Sequence, residues 1–341
     1  MVVRSGGFNS FAGMQKILVI QTAFIGDVVL ATGIIEKLHQ HYPEGAIDFL
    51  VRKGNEGLLL NHPFLHEVLI WDKKQSKYTH LLQLLKQIKH NRYDKLINVQ
   101  RYATTGFLTA FSKATETIGF DKNPLSFLFS KKIKHDFREG THEIERNHAL
   151  ISACTDNEAA KPKLYPSAKD KESVKKYQDK PYLCVAPSSV WFTKQYPKEK
   201  WISFLNQLPP KYNVYLVGAP GDKALCEEIK KVSLFPFVIN LAGQLNFLQS
   251  AALMQNAVMN YVNDSAPMHF ASAVNAPVTA VYCSTVPAFG YGPLSDDSHI
   301  VEVAEKLSCR PCGLHGYKAC PKGHFRCALD IKDEQLLNII L

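Results

Sequence analysis

Short apolar runs punctuate the first half of the chain: KILVI (16–20), IDFLV (47–51), VLIW (68–71), KLINV (95–99) and ETIGF (116–120). Each is too short for a stable helix and rich in Ile, Val or Leu, so each reads as a strand. Helical periodicity fills several of the gaps. In THLLQLLKQIKH (79–90), Leu81, Leu84, Leu85 and Ile88 share one face, while Lys86, Lys89 and His90 lie elsewhere on the wheel. Thr79 stands where a helix cap is expected. Strands alternating with helices predict βαβ units and a mainly parallel sheet. THEIERNHALISAC (141–154) reads as a helix closing this half.

The pattern then stops. DNEAAKPKLYPSAKDKES (156–173) is polar, charged and proline-containing, which predicts an interdomain linker. It restarts with the strands YLCVA (182–186), VYLVG (214–218), AVMNYV (257–262) and VTAVYC (278–283), and the helices WISFLNQL (201–208) and FLQSAALMQNA (247–257). DEQLLNIIL (333–341) reads as a short packing helix. The prediction is an α/β protein with two tandem halves, 14–160 and 170–330, and a C-terminal helix over 331–341. Ligands of such sheets sit beyond the carboxyl ends of the strands.

Composition agrees. The 341 residues suit two domains of roughly 150 residues each. With 46% hydrophobic and 21% charged residues, the chain is globular and not disordered. The net charge of +9 favours acidic partners such as nucleotides, phosphorylated lipids, nucleic acid or an anionic membrane face. Against nucleic acid, the basic residues are spread out and not interleaved with aromatics. Lys73, Lys74, Lys77, Lys86, Lys89 and Arg92 form a basic surface that suits an anionic acceptor or lipid phosphates, and equally suits a solvated helix face. No apolar run approaches the roughly 18–20 residues that span a bilayer. MVVRSGGFNSFAG lacks the apolar core of a secretory signal, so a cytoplasmic location is expected. Residues 1–13 read as a disordered leader, with Met14 an alternative start.

The candidate chemistry lies in loops that follow predicted strands. QTAFIGDVVLAT (21–32) puts Asp27 at a helix start, where an anion site is otherwise expected. Asp27 suits a helix cap or a general base, and the helix dipole predicts a low pKa for it. PSSVWFTKQYPKEKW (187–201) offers Ser188, Ser189, Thr193 and Lys194, a set that suits a pyrophosphate or an ordinary polar loop. VGAPGDKAL (217–225) places Asp222 at a helix start, to cap it or to bind ribose hydroxyls. YVNDSAPMHFASA (261–273) ends a strand with Asp264 and Ser265, and the N–H groups of Ser265 and Ala266 would face an anion, with His269 in the first helical turn.

Of the eight cysteines, Cys154, Cys184, Cys226 and Cys283 read as core thiols. Cys309, Cys312, Cys320 and Cys327 follow C-x2-C-x7-C-x6-C, a spacing compatible with a structural zinc, with His315 and His324 as alternates. Reduced cysteines in a packed loop satisfy the same pattern, and the expected compartment disfavours disulfides.

Together, KILVIQTAFIGDVVLAT, KQYPKEKW, VGAPGD, VNDSAPMHFASA and the cysteine-rich stretch resemble glycosyltransferase family 9, the heptosyltransferases of the lipopolysaccharide inner core. The resemblance runs from Met14 along nearly the whole chain. It implies a GT-B architecture, two Rossmann-like domains facing across a cleft, with the acceptor on the N-terminal half and the nucleotide-sugar on the C-terminal half. It implies an inverting, metal-independent transfer of a heptose or related sugar from an ADP-sugar to a lipid-linked, anionic saccharide at the inner membrane face, and the lack of a clear DxD motif is compatible with that. No catalytic cofactor is implied. By position, Asp27 matches the family's base and Lys194 the cation at the donor diphosphate. Asp222 stands where Glu is usual near the ribose. Asp264, Ser265 and Ala266 match an Asp-Thr-Gly or Asp-Ser-Gly loop, and His269 the His that follows. Ala266 replaces a glycine and Pro267 removes one N–H, while Gly33 stands where proline is common; these departures bear on the donor more than on the reaction. The alternatives are another sugar-nucleotide enzyme, such as an epimerase, and a non-catalytic nucleotide-binding protein.

Overall fold

The computed structural model describes residues 14–74, 77–138 and 140–341, without the Lys77 side chain. The expected leader, 1–13, lies outside the described residues. The chain divides into two compact units, one ending at Tyr165 and the other running from Pro166 to Leu341.

The first unit contains β1 (Lys16–Ile20), α1 (Ile25–His41), β2 (Ala46–Arg52), β3 (Leu65–Trp71), α2 (Lys77–Asn91), β4 (Lys95–Asn98), α3 (Ala103–Ala110), β5 (Glu116–Phe120), β6 (Lys131–Ile133) and α4 (Glu143–His148). Its strands pair in the order β3-β2-β1-β4-β5-β6, all parallel. Ile17, Leu18, Val19 and Ile20 of central β1 are fully buried, as strands covered on both faces require. Leu81, Leu84, Leu85 and Ile88 of α2 pack with Leu18, Leu50, Leu69 and Trp71. Helix α2 begins at Lys77, so Thr79 lies inside its first turn and does not cap it. The helix expected over 141–154 ends at His148, and a separate 3₁₀ turn covers Ser152–Cys154.

The expected linker is largely structured. Pro162 and Leu164 are buried between exposed Lys161 and Lys163. The Lys163 amide donates to Thr32 Oγ1 (2.9 Å), and the Tyr165 hydroxyl donates to buried Glu36 (2.7 Å). Ser167 then caps α5 (Ala168–Val174): its hydroxyl accepts from the Asp170 amide (3.1 Å), and Asp170 accepts from the Ser167 amide (2.9 Å). Polar composition concealed both the buried alternation and the Ser-x-x-Asp cap.

The second unit continues with β7 (Tyr182–Ala186), α6 (Lys198–Asn206), β8 (Asn213–Leu216), α7 (Lys223–Val232), β9 (Val238–Asn240), α8 (Phe247–Gln255), β10 (Met259–Asn263), α9 (Ala266–Ala273), β11 (Val278–Tyr282), β12 (Ser298–Glu302), α10 (Arg326–Leu329) and α11 (Asp333–Leu337). Its parallel sheet runs β12-β11-β10-β7-β8-β9. Counted within each unit, both sheets have the order 3-2-1-4-5-6. The strand order therefore reverses between β1 and β4 in one unit and between β7 and β10 in the other, the points where such sheets open a ligand crevice. The C-terminal helix belongs to this unit's core: the Tyr261 hydroxyl donates to the Leu336 carbonyl (2.9 Å), and Leu336 is buried.

Where the chain crosses α1, a methyl on Gly33 would lie 2.5 Å from the Ala160 carbonyl oxygen. Gly→Ala inside a helix ordinarily stabilises by about 0.5–1 kcal/mol. Here the sign reverses. Gly33→Ala is expected to destabilise by about 1–3 kcal/mol, the usual cost of overpacking, read as a lower urea midpoint at unchanged slope. A gain in stability would contradict the close crossing.

Candidate active site

In the first unit, the loop from β1 to α1 is fixed at nearly every residue. The Gln21 amide donates to Leu50 O (3.1 Å), the Ala23 amide to Gln21 Oε1 (3.1 Å), and Asn55 Nδ2 to Ala23 O (3.1 Å). Lys73 Nζ donates to Thr22 O (2.8 Å) and Thr22 Oγ1 (3.1 Å), so this lysine braces the loop. Gln100, beyond β4, donates to Gln21. These bonds set the start of α1, and there the Phe24 amide donates to Asp27 Oδ2 (3.1 Å). Asp27 is thus a helix-start carboxylate at the point of strand-order reversal.

Its acidity differs from the expectation. Burial pushes the Asp27 pKa above the ordinary carboxylate value; hydrogen bonds from the backbone amides of Phe24 and Asp27, and the charges of Arg52 and Arg101, oppose this without cancelling it. Desolvation outweighs the helix start. Glu143, at the start of α4, is also pushed up, by burial first, with the Asp27 charge adding to it and Arg146 opposing. Arg146 Nε donates to Glu143 (2.8 Å). His135 is pushed down to about 4, first by burial and then by the charges of Arg101 and Arg146. Arg52 stacks over Phe24 (5.0 Å to the ring centre), and Phe24 and Tyr102 are 62% and 66% exposed. Arg52, Arg101, His135, Glu143 and Arg146 were missed in the sequence. Arg52 ends β2, Arg101 and His135 follow β4 and β6 closely, and applying the carboxyl-end rule to every strand would have found these three.

In the second unit, the loops after β7, β10 and β11 converge. Asp264, 5% exposed, accepts at Oδ2 from Lys194 Nζ (2.7 Å) and Thr285 Oγ1 (2.6 Å). Ser265 is the N-cap of α9 in an extended conformation, with Ala266 and Pro267 in the first turn. The Met268 amide is taken by Ser265 O (3.1 Å), and Pro267 has no N–H, which leaves Ser265 and Ala266 as the donors near Lys194. His269 lies buried in the same helix. Asn263, absent from the sequence reading, is fully buried: it donates to the carbonyls of Ala186 (3.4 Å) and Ser188 (3.3 Å) and accepts from the Tyr196 amide (2.9 Å).

The remaining candidates separate. Ser188 and Ser189 are half-buried beside Lys194's loop. Thr193 is engaged within the protein. It is buried, and its hydroxyl oxygen accepts from the Tyr317 amide (2.7 Å) and from Ser284 Oγ (3.0 Å). Asp222 accepts from the Ala219 amide (2.7 Å), which is the capping geometry.

The four clustered cysteines lie in the segment that follows β12, and Cys327 lies within α10. Among the described residues, the one group of three or more potential ligands whose atoms lie within 4.8 Å of each other is Asp48, His66 and Glu67. Cys309 Sγ is 3.9 Å from His324 Nε2, and Cys312 Sγ donates to the Cys309 carbonyl (3.4 Å). Burial, and then the neighbouring Cys312, Cys320 and Cys309, push Cys327 up to about 12.

The profile of Glycosyltransferase family 9 (heptosyltransferase) matches residues 81–317, more than half of the chain. The chain belongs to this family. It is a glycosyltransferase with the GT-B fold. Lipooligosaccharide heptosyltransferase 2 of Haemophilus influenzae is 25% identical over 312 residues, covering 85% of this chain and 89% of the relative. The structure of Escherichia coli ADP-heptose LPS heptosyltransferase II superposes with a TM-score of 0.80 at 21% identity, covering 96% and 97% of the two chains. A family 9 glycosyltransferase from Veillonella parvula gives 0.82 at 20% identity, covering 95% of each. No described helix of this glycosyltransferase is long and apolar enough to cross a membrane.

The site's electrostatics can be read directly. His135 is expected to titrate near pH 4 by NMR, against about 6.5 for an unperturbed histidine. Because the folded-state value is lowered, the unfolded chain gains a proton below pH 6.5 that the folded one refuses, so stability falls from there towards pH 4. Arg101→Gln is expected to move the titration upward. An ordinary titration in the wild type would contradict the arrangement.

Proposed function

We propose that this glycosyltransferase moves a heptose or closely related sugar from an ADP-linked donor to a lipid-linked, anionic saccharide of the lipopolysaccharide core, with inversion and without a catalytic metal. The observation that carries the reading is the pairing of roles at the strand-order reversals of the two sheets. A half-buried carboxylate with raised pKa stands after β1. A lysine held by Asp264 stands beside the start of α9 after β10. The names of the relatives support the sugar and the carrier: one is called a lipooligosaccharide heptosyltransferase and another an ADP-heptose heptosyltransferase.

In this reading the first unit binds acceptor and the second binds donor. Lys194 and the amides of Ser265 and Ala266 take the diphosphate. Asp222 reaches ribose with the carboxylate oxygen that Ala219 does not use. Ser188 and Ser189 line the donor, and His269 supports the helix start behind it. Asp27 removes the proton of an acceptor hydroxyl. That oxygen forms its bond to the anomeric carbon from the face opposite the carrier, while the bond from that carbon to the diphosphate breaks. The electron pair leaves on the diphosphate, where Lys194 meets the new charge. Its raised pKa makes Asp27 a stronger base than an exposed carboxylate.

Arg52 and Arg101 suit an acidic acceptor next to that base. Lys74, Lys86, Lys89 and Arg92 supply the wider basic surface for a lipid-linked substrate at the cytoplasmic face of the membrane. Lys73 is committed to Thr22 and supports the base instead.

Asp27→Asn is expected to lower transfer from ADP-heptose to heptose-deficient core acceptor by about 10²–10⁴-fold while leaving ADP affinity unchanged. Normal turnover would overturn the assignment. In the wild type, the rate is expected to rise with pH through a value above the ordinary carboxylate range, because the protonated base is inactive. Arg101→Gln, which removes a cation that stabilises the ionised form, shifts that limb to higher pH.

A further inference from the structure

The cysteine-rich segment is coupled to Lys194 through Arg310. This guanidinium, one-tenth exposed, collects the carbonyls at the carboxyl end of β11. Its Nε donates to Cys283 O (2.8 Å), and its Nη2 donates to Thr285 O (2.8 Å), to Tyr282 O (3.3 Å) and to Glu302 Oε2 (2.6 Å). The Cys312 amide takes the next carbonyl, Ser284 O (2.8 Å). The 282–285 turn is therefore held from the cysteine-rich side at each residue. Thr285 of this turn donates to Asp264 (2.6 Å), which holds Lys194 (2.7 Å).

A second strap runs in parallel. Thr193, the neighbour of Lys194, is bonded to both: its amide donates to Tyr317 O of the cysteine-rich segment (3.1 Å), and its carbonyl accepts from the Ser284 amide of the turn (3.2 Å). Gly316 makes this approach possible. Its φ is +76°, and a methyl there would lie 2.9 Å from Thr193 Oγ1 and 3.1 Å from Lys194 Cγ.

We propose that Arg310 is a positioning residue for sugar transfer, one that fixes the 282–285 turn so that Thr285 holds Asp264, and Asp264 holds Lys194, beside the start of α9. The planar fork of arginine reaches several carbonyls at once, and lysine's single ammonium cannot span them. The cysteine-rich segment thereby acts as a splint for the donor cation, with its thiols packed in the splint's body. The role rests on Lys194 being the cation at the donor diphosphate.

The test reads Lys194 itself in the full chain without nucleotide. Competitive labelling with acetic anhydride, followed by mass spectrometry, gives the acetylation rate of Lys194 relative to exposed Lys169. Arg310→Gln and Thr285→Val are expected to raise it at least threefold, and Thr285→Ser, which keeps the hydroxyl, to stay within twofold of wild type. Arg310→Lys keeps the charge and loses the fork; the same rise is expected, and this variant serves if Arg310→Gln does not fold. A folded Arg310 variant whose Lys194 labels at the wild-type rate overturns the proposal. ADP titration is the second readout: Arg310→Gln is expected to weaken binding at least tenfold, and unchanged affinity overturns the proposal as well. A wild-type chain that binds no ADP overturns the donor reading alone, and the labelling then decides the role of Arg310.

Discussion

Asp264 follows β10 with almost none of its surface exposed, and the charge of a carboxylate at that depth must be compensated. Lys194 and Thr285 do this from two other loops, so one buried charge joins the ends of β7, β10 and β11. Removing one partner of such a pair typically costs about 3–5 kcal/mol, because the other charge is left uncompensated. The loops of the second unit are therefore not independent. Asn263 ties the same strand ends by hydrogen bonds, and Arg310 fixes the turn that carries Thr285. A preformed cation beside a helix start results, ready for an anion with little rearrangement.

The first unit uses burial in the opposite sense. Asp27 has no lysine within hydrogen-bonding distance among the described residues. Arg52 and Arg101 act on it only through their charge, and burial dominates. A paired carboxylate would be a weak base; one raised by desolvation is a stronger base. The two units thus share a strand order and place acidic residues at equivalent crevices, yet one acid is paired with a lysine and the other is left with a raised pKa.

Much of this was legible in the sequence, for identifiable reasons. The central strands were visible because parallel strands buried on both faces are unbroken apolar runs, as in KILVI and YLCVA. The edge strands β6, β9 and β12 were not. KKI is largely exposed, and VIN and SHIVE each carry exposed positions, so hydrophobicity marks none of them. Asp27, Lys194 and Asp264 could be singled out because each follows a strand and lies in a motif that resembles the family's. The partners of Thr193 were not legible: its hydroxyl is met by the chain returning at Gly316 and Tyr317. Contacts between segments more than a hundred residues apart leave no local signature. The acidity of Asp27 was misjudged for a related reason, since a helix start is local and burial is not.

The proposed function requires that Lys194, held by Asp264 next to the start of α9, receive the donor's diphosphate. The most direct measurement is thermal stability of the wild type and of Lys194→Ala with ADP, UDP, GDP and CDP. A nucleotide at about 100 times its dissociation constant adds about 2.7 kcal/mol to stability. The account predicts that ADP stabilises the wild type, that the other three do so less, and that Lys194→Ala loses most of the effect. Stabilisation by ADP that survives intact in Lys194→Ala, or its absence from the wild type, would contradict it.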